Sequence, residues 1–538
     1  MNKLRIHLKF SHRDIYYFSL VFLAVSLPLS IFTTSLAEII IFANWLWEGN
    51  FKQKIKTLTE RKGLILIILI YVLHLIGILY TEDLGYGFHD LKIKLPVLIL
   101  PLVIGTSPFL KEREIRNLLL FFSLAVFTGS LVSGAVFFGL TDYQYLDYRD
   151  ISVFISHIRM ALMTDLAIFS LLYYLINNES DIKINLKGKL LSILIIFWLV
   201  VFLLILKSLT GIIILLVVSF VLGWIYSGKI REIAPRFMVR TLLITVPLII
   251  ASWLSHSAVL YFKRDIIDVN SLDSLTSKGN YYTHDIENKD AENGHYVYLY
   301  ISEKELMEEW NKRSEFSYSG KDRKGQELKY TLLRYMTSKN LRKDADGVNK
   351  LTQTDINAIE NGLANYIFLD KISIKSRIYE IMWELDSFRR GKDTGGHSVA
   401  QRLVYLKVAM NIISQNPVFG VGTGDVKMKF DTYYRDSKII SNQRWWYRAH
   451  NQYVTFMISF GAAGMIIILI SFFLPVFLER KWGDYLFLCF ALIGFLSMLT
   501  EDTLETQTGV SFFMFFYSLF LFGRMKTESR VKKISMQD

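Results

Sequence analysis

Apolar runs close to the length of a bilayer-spanning helix recur about twelve times along this chain, and no other feature limits its fold as strongly. A transmembrane helix needs roughly 17 to 25 mostly apolar residues. The candidate stretches are 15–33, 35–47, 64–80, 95–106, 117–140, 160–176, 190–206, 211–226, 241–254, 451–478, 485–500 and 510–522. The second and fourth are the least secure, being too short to cross without local thinning or help from flanking residues. Of the 538 residues 52% are hydrophobic and only 8 are proline, which places the chain among membrane proteins. The expected fold is all-α and polytopic.

Lysine and arginine accumulate in cytoplasmic loops, so the connections give an independent reading of orientation. Every second one is basic: 3–13, 52–62, 111–116, 183–189, 229–240, Arg480-Lys481 and 524–533. Those between are acidic or neutral, as at 81–83, 141–150 and 501–505. Lys92 and Lys94 are exceptions on the outer side. The alternation predicts both termini in the cytoplasm and the long 255–449 segment outside, between spans 9 and 10. It also accounts for the net charge of +12 as juxtamembrane topology rather than nucleic-acid binding. The N-terminal apolar stretch runs on into further spans, unlike a cleaved signal peptide. Cys489 is the single cysteine and lies in a predicted span, which leaves no disulfide and no thiolate metal site outside.

The chain therefore divides into an N-terminal bundle (1–254), an outer domain (255–449) and C-terminal spans (450–538). The outer domain opens on a polar stretch, 263–293, expected to be irregular or strand-rich. Helices are predicted over 303–312, 327–338, 353–365 and 373–388, the third starting at Thr352 or Thr354 with Asp355 in its first turn. A break at 389–396 precedes an amphipathic helix over 398–414, with Val399, Leu403, Leu406, Ala409, Met410 and Ile413 on one side and Arg402 projecting from it. Asn416-Pro417 ends that helix. The following Phe419-Gly420-Val421-Gly422-Thr423-Gly424-Asp425 lacks the preceding strand of a dinucleotide fingerprint and reads as a shaped turn. Trp445-Trp446-Tyr447 precede Arg448-Ala449-His450-Asn451 and the next span, where aromatic residues commonly sit at the headgroup level.

Arginine is a permanent planar cation suited to phosphate, and histidine exchanges a proton near neutral pH. Taken singly, a membrane-side arginine is more often a topological anchor, and an interfacial histidine more often a cap. Their joint order carries more. Arg402-Leu403-Val404-Tyr405-Leu406 fits R-x-x-x-L, and His450-Asn451 followed after nine residues by Gly461 and then Gly464 fits H-[NSQ]-x9-G-x-x-G. With 416–422 between them, these residues resemble signatures of the O-antigen ligase and polymerase superfamily, whose members carry about a dozen spans and one large late periplasmic loop.

The resemblance implies transfer of a glycan from undecaprenyl diphosphate to an acceptor hydroxyl, on the periplasmic side of a bacterial inner membrane, with no cofactor and no metal. The acceptor would be lipid A-core in a ligase, the growing glycan in a polymerase, or a protein hydroxyl in an oligosaccharyltransferase. The partners implied are the lipid-linked donor, the acceptor and the bilayer, with no nucleic acid. In this reading Arg402 stabilises the departing diphosphate, His450 is the general base, Asn451 orients it, and Arg448 adds positive potential. With no carboxylate nucleophile, inversion at C1 is expected. Gly422 shapes its turn, while Gly461 and Gly464 are read as helix-packing contacts. The superfamily commonly places another arginine in a Ser-Arg pair, where this chain has Lys207-Ser208-Leu209. Lys207 and Arg159 are equal candidates to replace it, Arg159 being held by Asp165. A lipid-glycan transporter would also explain many spans, but would not need the outer domain or the Arg402 and His450 pair; no inverted repeat is visible.

Overall fold

A computed structural model describes residues 11–145, 148–176, 185–370, 373–391, 398–440 and 442–524. Parts of the basic stretches at 3–13, 183–189 and 524–533, of the acidic stretch at 141–150 and of the break at 389–396 lie outside the described residues. The chain divides into two compact units, 1–233 with 393–538, and 234–392. The segment expected as one domain over 255–449 is thus shared between them, residues from 393 onward belonging with the apolar helices.

The protein is a largely helical polytopic membrane protein. Among the described residues six helices are long and apolar enough to cross a bilayer: Glu112–Phe137, His157–Ile176, Leu186–Ile205, Leu209–Ser227, Ile233–Phe262 and Gln452–Leu478. A seventh span results if Phe51–Glu60 and Lys62–Ile78, bent by 95° at their junction, are counted together. The basic stretch expected as a connection is therefore largely helical. Its Lys54 is buried, its ammonium donating to the Trp45 carbonyl at 2.6 Å and pairing with Glu48 at 2.8 Å.

Ile31–Trp47, Tyr485–Ser497 and Gln507–Phe522 are shorter apolar helices. At 1.5 Å per residue the 16-residue Gln507–Phe522 helix reaches only about 24 Å. It need not match a lipid thickness, because every residue from Thr508 to Phe522 is buried in protein. It packs on Leu95–Thr106, Tyr485–Ser497 and Ile31–Trp47. Phe513 and Phe516 meet Phe490 with ring centroids 5.5 and 6.0 Å apart. Lipid tails are as apolar as these rings, so the gain is close packing rather than escape from water.

In the second unit the helix that ends at Phe262 buries only Tyr261. Beyond it, Leu306, Trp310, Leu332, Tyr335, Met336, Val348, Ile356 and Ile359 form a separate core. The predicted helices appear as Glu303–Arg313, Leu328–Ser338, Gln353–Glu360 and Ile374–Arg389. Thr352 caps the third in a reciprocal capping box with Asp355. That helix stops five residues earlier than expected. The polar stretch ends in a two-stranded hairpin, Ala291–Glu292 against His295–Tyr296. Its turn is Asn293-Gly294, both at positive φ (52° and 94°), as a tight hairpin turn requires.

Candidate active site

In the first unit, the 416–425 segment and the Gln452–Leu478 helix are built for each other. The helix breaks at Gly461, whose φ of 59° and ψ of −166° are not helical. A continuous helix would bond the carbonyls of Ile458 and Ser459 to the N–H groups of Ala462 and Ala463. The break releases all four, and leaving such groups unpaired among apolar helices would cost several kcal/mol each. The 417–422 strip satisfies every one. Val421 N donates to Ile458 O (2.8 Å) and Gly422 N to Ser459 O (2.9 Å), while Ala462 N donates to Pro417 O (2.9 Å) and Ala463 N to Val418 O (3.1 Å).

Such proximity demands glycine. A Cβ on Gly461 would lie 2.3 Å from Val418 backbone, and one on Gly420 2.4 Å from Ser459 backbone. Gly461 is thus a break that receives the loop rather than the helix-packing contact expected. Gly422 comes against the Gly77 carbonyl, and Gly464 leaves room for the Phe460 side chain. The strip is also tied to the Lys62–Ile78 end: Thr423 Oγ1 donates to His74 O (2.7 Å), and the Asp425 carboxylate accepts from Glu82 N, Asp83 N and Thr81 Oγ1.

At its start the Gln452–Leu478 helix is wrapped by the 498–505 loop. Asn451 is the N-cap, its Oδ1 accepting from Val454 N at 3.1 Å and its Nδ2 donating to Leu499 O at 2.9 Å. Its side chain is therefore engaged away from the His450 ring it was expected to orient. Gln452 accepts from Leu504 N (2.7 Å) and donates to Glu505 (2.9 Å). His450 itself adopts a left-handed backbone, φ 50°, uncommon for a residue with a Cβ and found disproportionately at functional sites. Its backbone N–H donates to Asp502 Oδ2 at 3.2 Å, and its ring lies beside Tyr405 and Tyr447, with centroids 5.7 and 5.8 Å away.

Three of the expected cations and His450 meet the carboxylates of this loop. Arg402 donates to Glu501 Oε1 at 2.6 Å, and on Oε2 converge Arg159 at 3.9 Å and His450 Nδ1 at 3.8 Å. Arg159 also donates to the Asp502 carbonyl at 3.1 Å. Arg448 belongs to an adjoining network: it pairs with Glu505 at 2.6 Å and donates to the Tyr86 hydroxyl. Glu505 further accepts from Lys94 at 2.9 Å, and Lys94 is chelated by Asp90 at 2.6 and 2.7 Å.

Asp165 does not hold Arg159: neither of its carboxylate oxygens has a hydrogen-bond partner among the described residues. Lys207 is left-handed (φ 49°) just before the Leu209–Ser227 helix, whose Thr210 hydroxyl lies 3.3 Å from that of Thr500. Arg159, one of the two candidates for the additional cation, lies on Glu501.

The electrostatics differ residue by residue along the loop. Burial would push Glu501 up, but the nearby His450 ring and the Arg159 and Arg402 charges outweigh it and hold the carboxyl below its ordinary value. Lys94 and Arg448 overcome burial in the same way at Glu505. At Asp502 burial prevails, reinforced by the Glu505 charge, and the carboxyl is raised. Arg159, Arg402, Arg448 and Lys94 are thus matched in number by Asp90, Glu501, Asp502 and Glu505. Of the two arginines on Glu501, Arg402 is the accessible one, its side chain 34% exposed against 7% for Arg159.

Glu501, Asp502, Glu505, Asp90 and Lys94 were not read from the sequence as site residues. Two signals were present: three carboxylates within five residues, read only as topology, and the two lysines that broke the charge alternation. Among the described residues no three His, Cys, Asp or Glu side chains are grouped to hold a metal ion.

A family model described as O-antigen ligase matches residues 362–469, a span that holds Arg402, the 416–425 strip, Arg448, His450, Gly461 and Gly464. No curated protein matches the chain. The segment that carries these residues, at one end of a helical membrane bundle, is thus similar to the O-antigen ligase family.

Proposed function

We propose that the protein is a membrane glycan ligase that moves a glycan from undecaprenyl diphosphate to an acceptor hydroxyl, lipid A-core first among the acceptors, on the periplasmic face of the inner membrane. The observation that carries this reading is the convergence of Arg402, Arg159 and His450 on Glu501.

A sugar linked through C1 to diphosphate already has a good leaving group. The protein must hold the charge that develops there and remove a proton from the acceptor. His450 takes that proton on the ring nitrogen facing away from Glu501. The acceptor oxygen then bonds to C1 as the C1–O bond to phosphate breaks, and the electron pair leaves with the lipid diphosphate. Arg402, and behind it Arg159, receive that charge. Glu501 steadies the imidazolium as it forms, as an acidic partner does for a catalytic histidine elsewhere. A single displacement inverts C1. The family match and the polytopic fold support a transferase of this type; donor, acceptor and face rest on the proposal.

The test uses full-length protein in phospholipid nanodiscs with undecaprenyl-diphosphate-glycan and lipid A-core, donor binding and transfer being measured separately. His450→Ala is expected to abolish transfer and leave donor binding intact. Arg402→Lys keeps a charge but loses the planar fork, and should lower transfer by tens to thousands of fold, about 2 to 4 kcal/mol of transition-state stabilisation. Near wild-type transfer by His450→Ala would make the histidine a structural cap and overturn the assignment.

A further inference from the structure

In the second unit, between the Asn293-Gly294 hairpin and the Ile374–Arg389 helix, lies a pocket of about 160 Å³. We propose that it binds one uncharged pyranose ring, as a saccharide subsite of the outer domain. Pockets for drug-sized ligands run to about 300–1,000 Å³, so this one admits a single ring.

Its walls carry the two kinds of group that a sugar needs. Trp383 and Tyr298 are aromatic surfaces for the C–H face of a ring, and Arg334, Asp290, Asp386 and Arg390 are donors and acceptors for hydroxyls. These polar groups are held in place rather than loose. The buried Glu292 takes Arg334 in a fork, Nε and a terminal nitrogen each 2.7 Å from Oε1. Its Oε2 accepts from Tyr379 OH and Asn365 Nδ2, both at 2.8 Å. The same guanidinium lies over Trp383, 5.2 Å from the ring centroid. Across the pocket Arg390 pairs with Asp386 Oδ2 at 2.8 Å.

Each pair leaves a polar atom over. Among the described residues, Asp386 Oδ1 has no hydrogen bond, nor has the other terminal nitrogen of Arg334. One fixed acceptor and one fixed donor beside an aromatic wall suit a vicinal diol. The carboxylates Glu292, Asp386 and Asp290 are already met by the guanidiniums of Arg334, Arg264 and Arg390, so charge is balanced within the wall, which suits a neutral ring better than phosphate or uronate.

The identity of the sugar, as part of the transferred or accepting glycan, rests on the ligase reading; the pocket itself does not. Full-length protein in phospholipid nanodiscs, free of sugar detergents, would be examined by saturation-transfer NMR with methyl glucoside, methyl galactoside and methyl N-acetylglucosaminide, and with glucuronate and inorganic phosphate as anionic controls. At least one neutral methyl glycoside should bind with Kd on the order of millimolar, as such a small ligand permits. Trp383→Ala, which removes the wall, and Ser387→Phe, which fills the cavity, should each weaken it tenfold or more. Failure of all three glycosides to bind, binding unchanged in the correctly folded variants, or preference for glucuronate or phosphate would overturn the proposal. If Trp383→Ala does not fold, Ser387→Phe decides alone. Glycoside binding through Trp383 by a protein that transfers no glycan would refute the ligase reading and leave the pocket standing; transfer without such binding would refute the pocket only.

Discussion

Arg402 donates to Glu501 across 2.6 Å although 99 residues separate them in the chain, and the carboxylate that receives this arginine also faces His450. One buried acid thus sets the position of both residues on which the proposed transfer depends. Removing it should disturb the pair more than removing either neighbouring acid.

Glu501→Gln is expected to lower transfer by roughly 10- to 1,000-fold and to destabilise the protein at pH 7 by about 3 to 5 kcal/mol, as breaking a buried ion pair does. Its folded carboxyl is held below the ordinary value, so its contribution is present above that value and lost as pH falls through the lowered one. Asp502 has the opposite sign: its raised carboxyl costs stability once ionised, and the cost disappears as pH falls. Asp502→Asn should therefore be far milder at pH 7. Thermal unfolding of both variants at neutral and acidic pH measures this; equal losses would contradict the assignment.

The broken helix makes a sharp demand on glycine. Gly461→Ala and Gly420→Ala would each force a Cβ into backbone at a left-handed position, and should lower the yield of folded protein or its Tm by many degrees. Gly483→Ala meets nothing within 4 Å and is the matched control. Size-exclusion profiles and melting in detergent compare them. Tolerance of Gly461→Ala would mean that the loop does not enter the helix.

Lys94 lies between Asp90 and Glu505, nearly inaccessible. Lys94→Met should destabilise by about 3 to 5 kcal/mol, because it leaves buried carboxylates short of a cation. Adding Asp90→Asn should recover part of that loss, a coupling a double-mutant cycle would read. Strict additivity would place the two residues in separate environments.

The proposed orientation puts the second unit outside and the 52–62 stretch inside. Cysteine at the exposed Ser319 should react with an impermeant maleimide on intact cells, and cysteine at the exposed Thr59 only after lysis. The native Cys489 is buried and adds little background. The reverse pattern would put the site on the cytoplasmic face.

Much of this molecule is local and was legible as such. Apolar runs, the amphipathic period of 398–414 and a helix start at Thr352 or Thr354 each depend on residues within a few turns of one another, and each marks a helix in the structure. The order of Arg402, His450, Gly461 and Gly464 was legible as well, within a range that a family model matches without any contact being known. What tertiary structure alone decided is pairing at long range. The charge alternation marked 501–505 and Lys94 without saying what they met, because a carboxylate that sets topology and one that binds a cation look alike until the helices pack. The sequence showed glycine at 420 and 461, but not that the loop of one would supply the hydrogen bonds given up by the helix of the other. Chain order records which groups are present; only packing, which must leave no polar group unpaired within apolar surroundings, determines which of them come together.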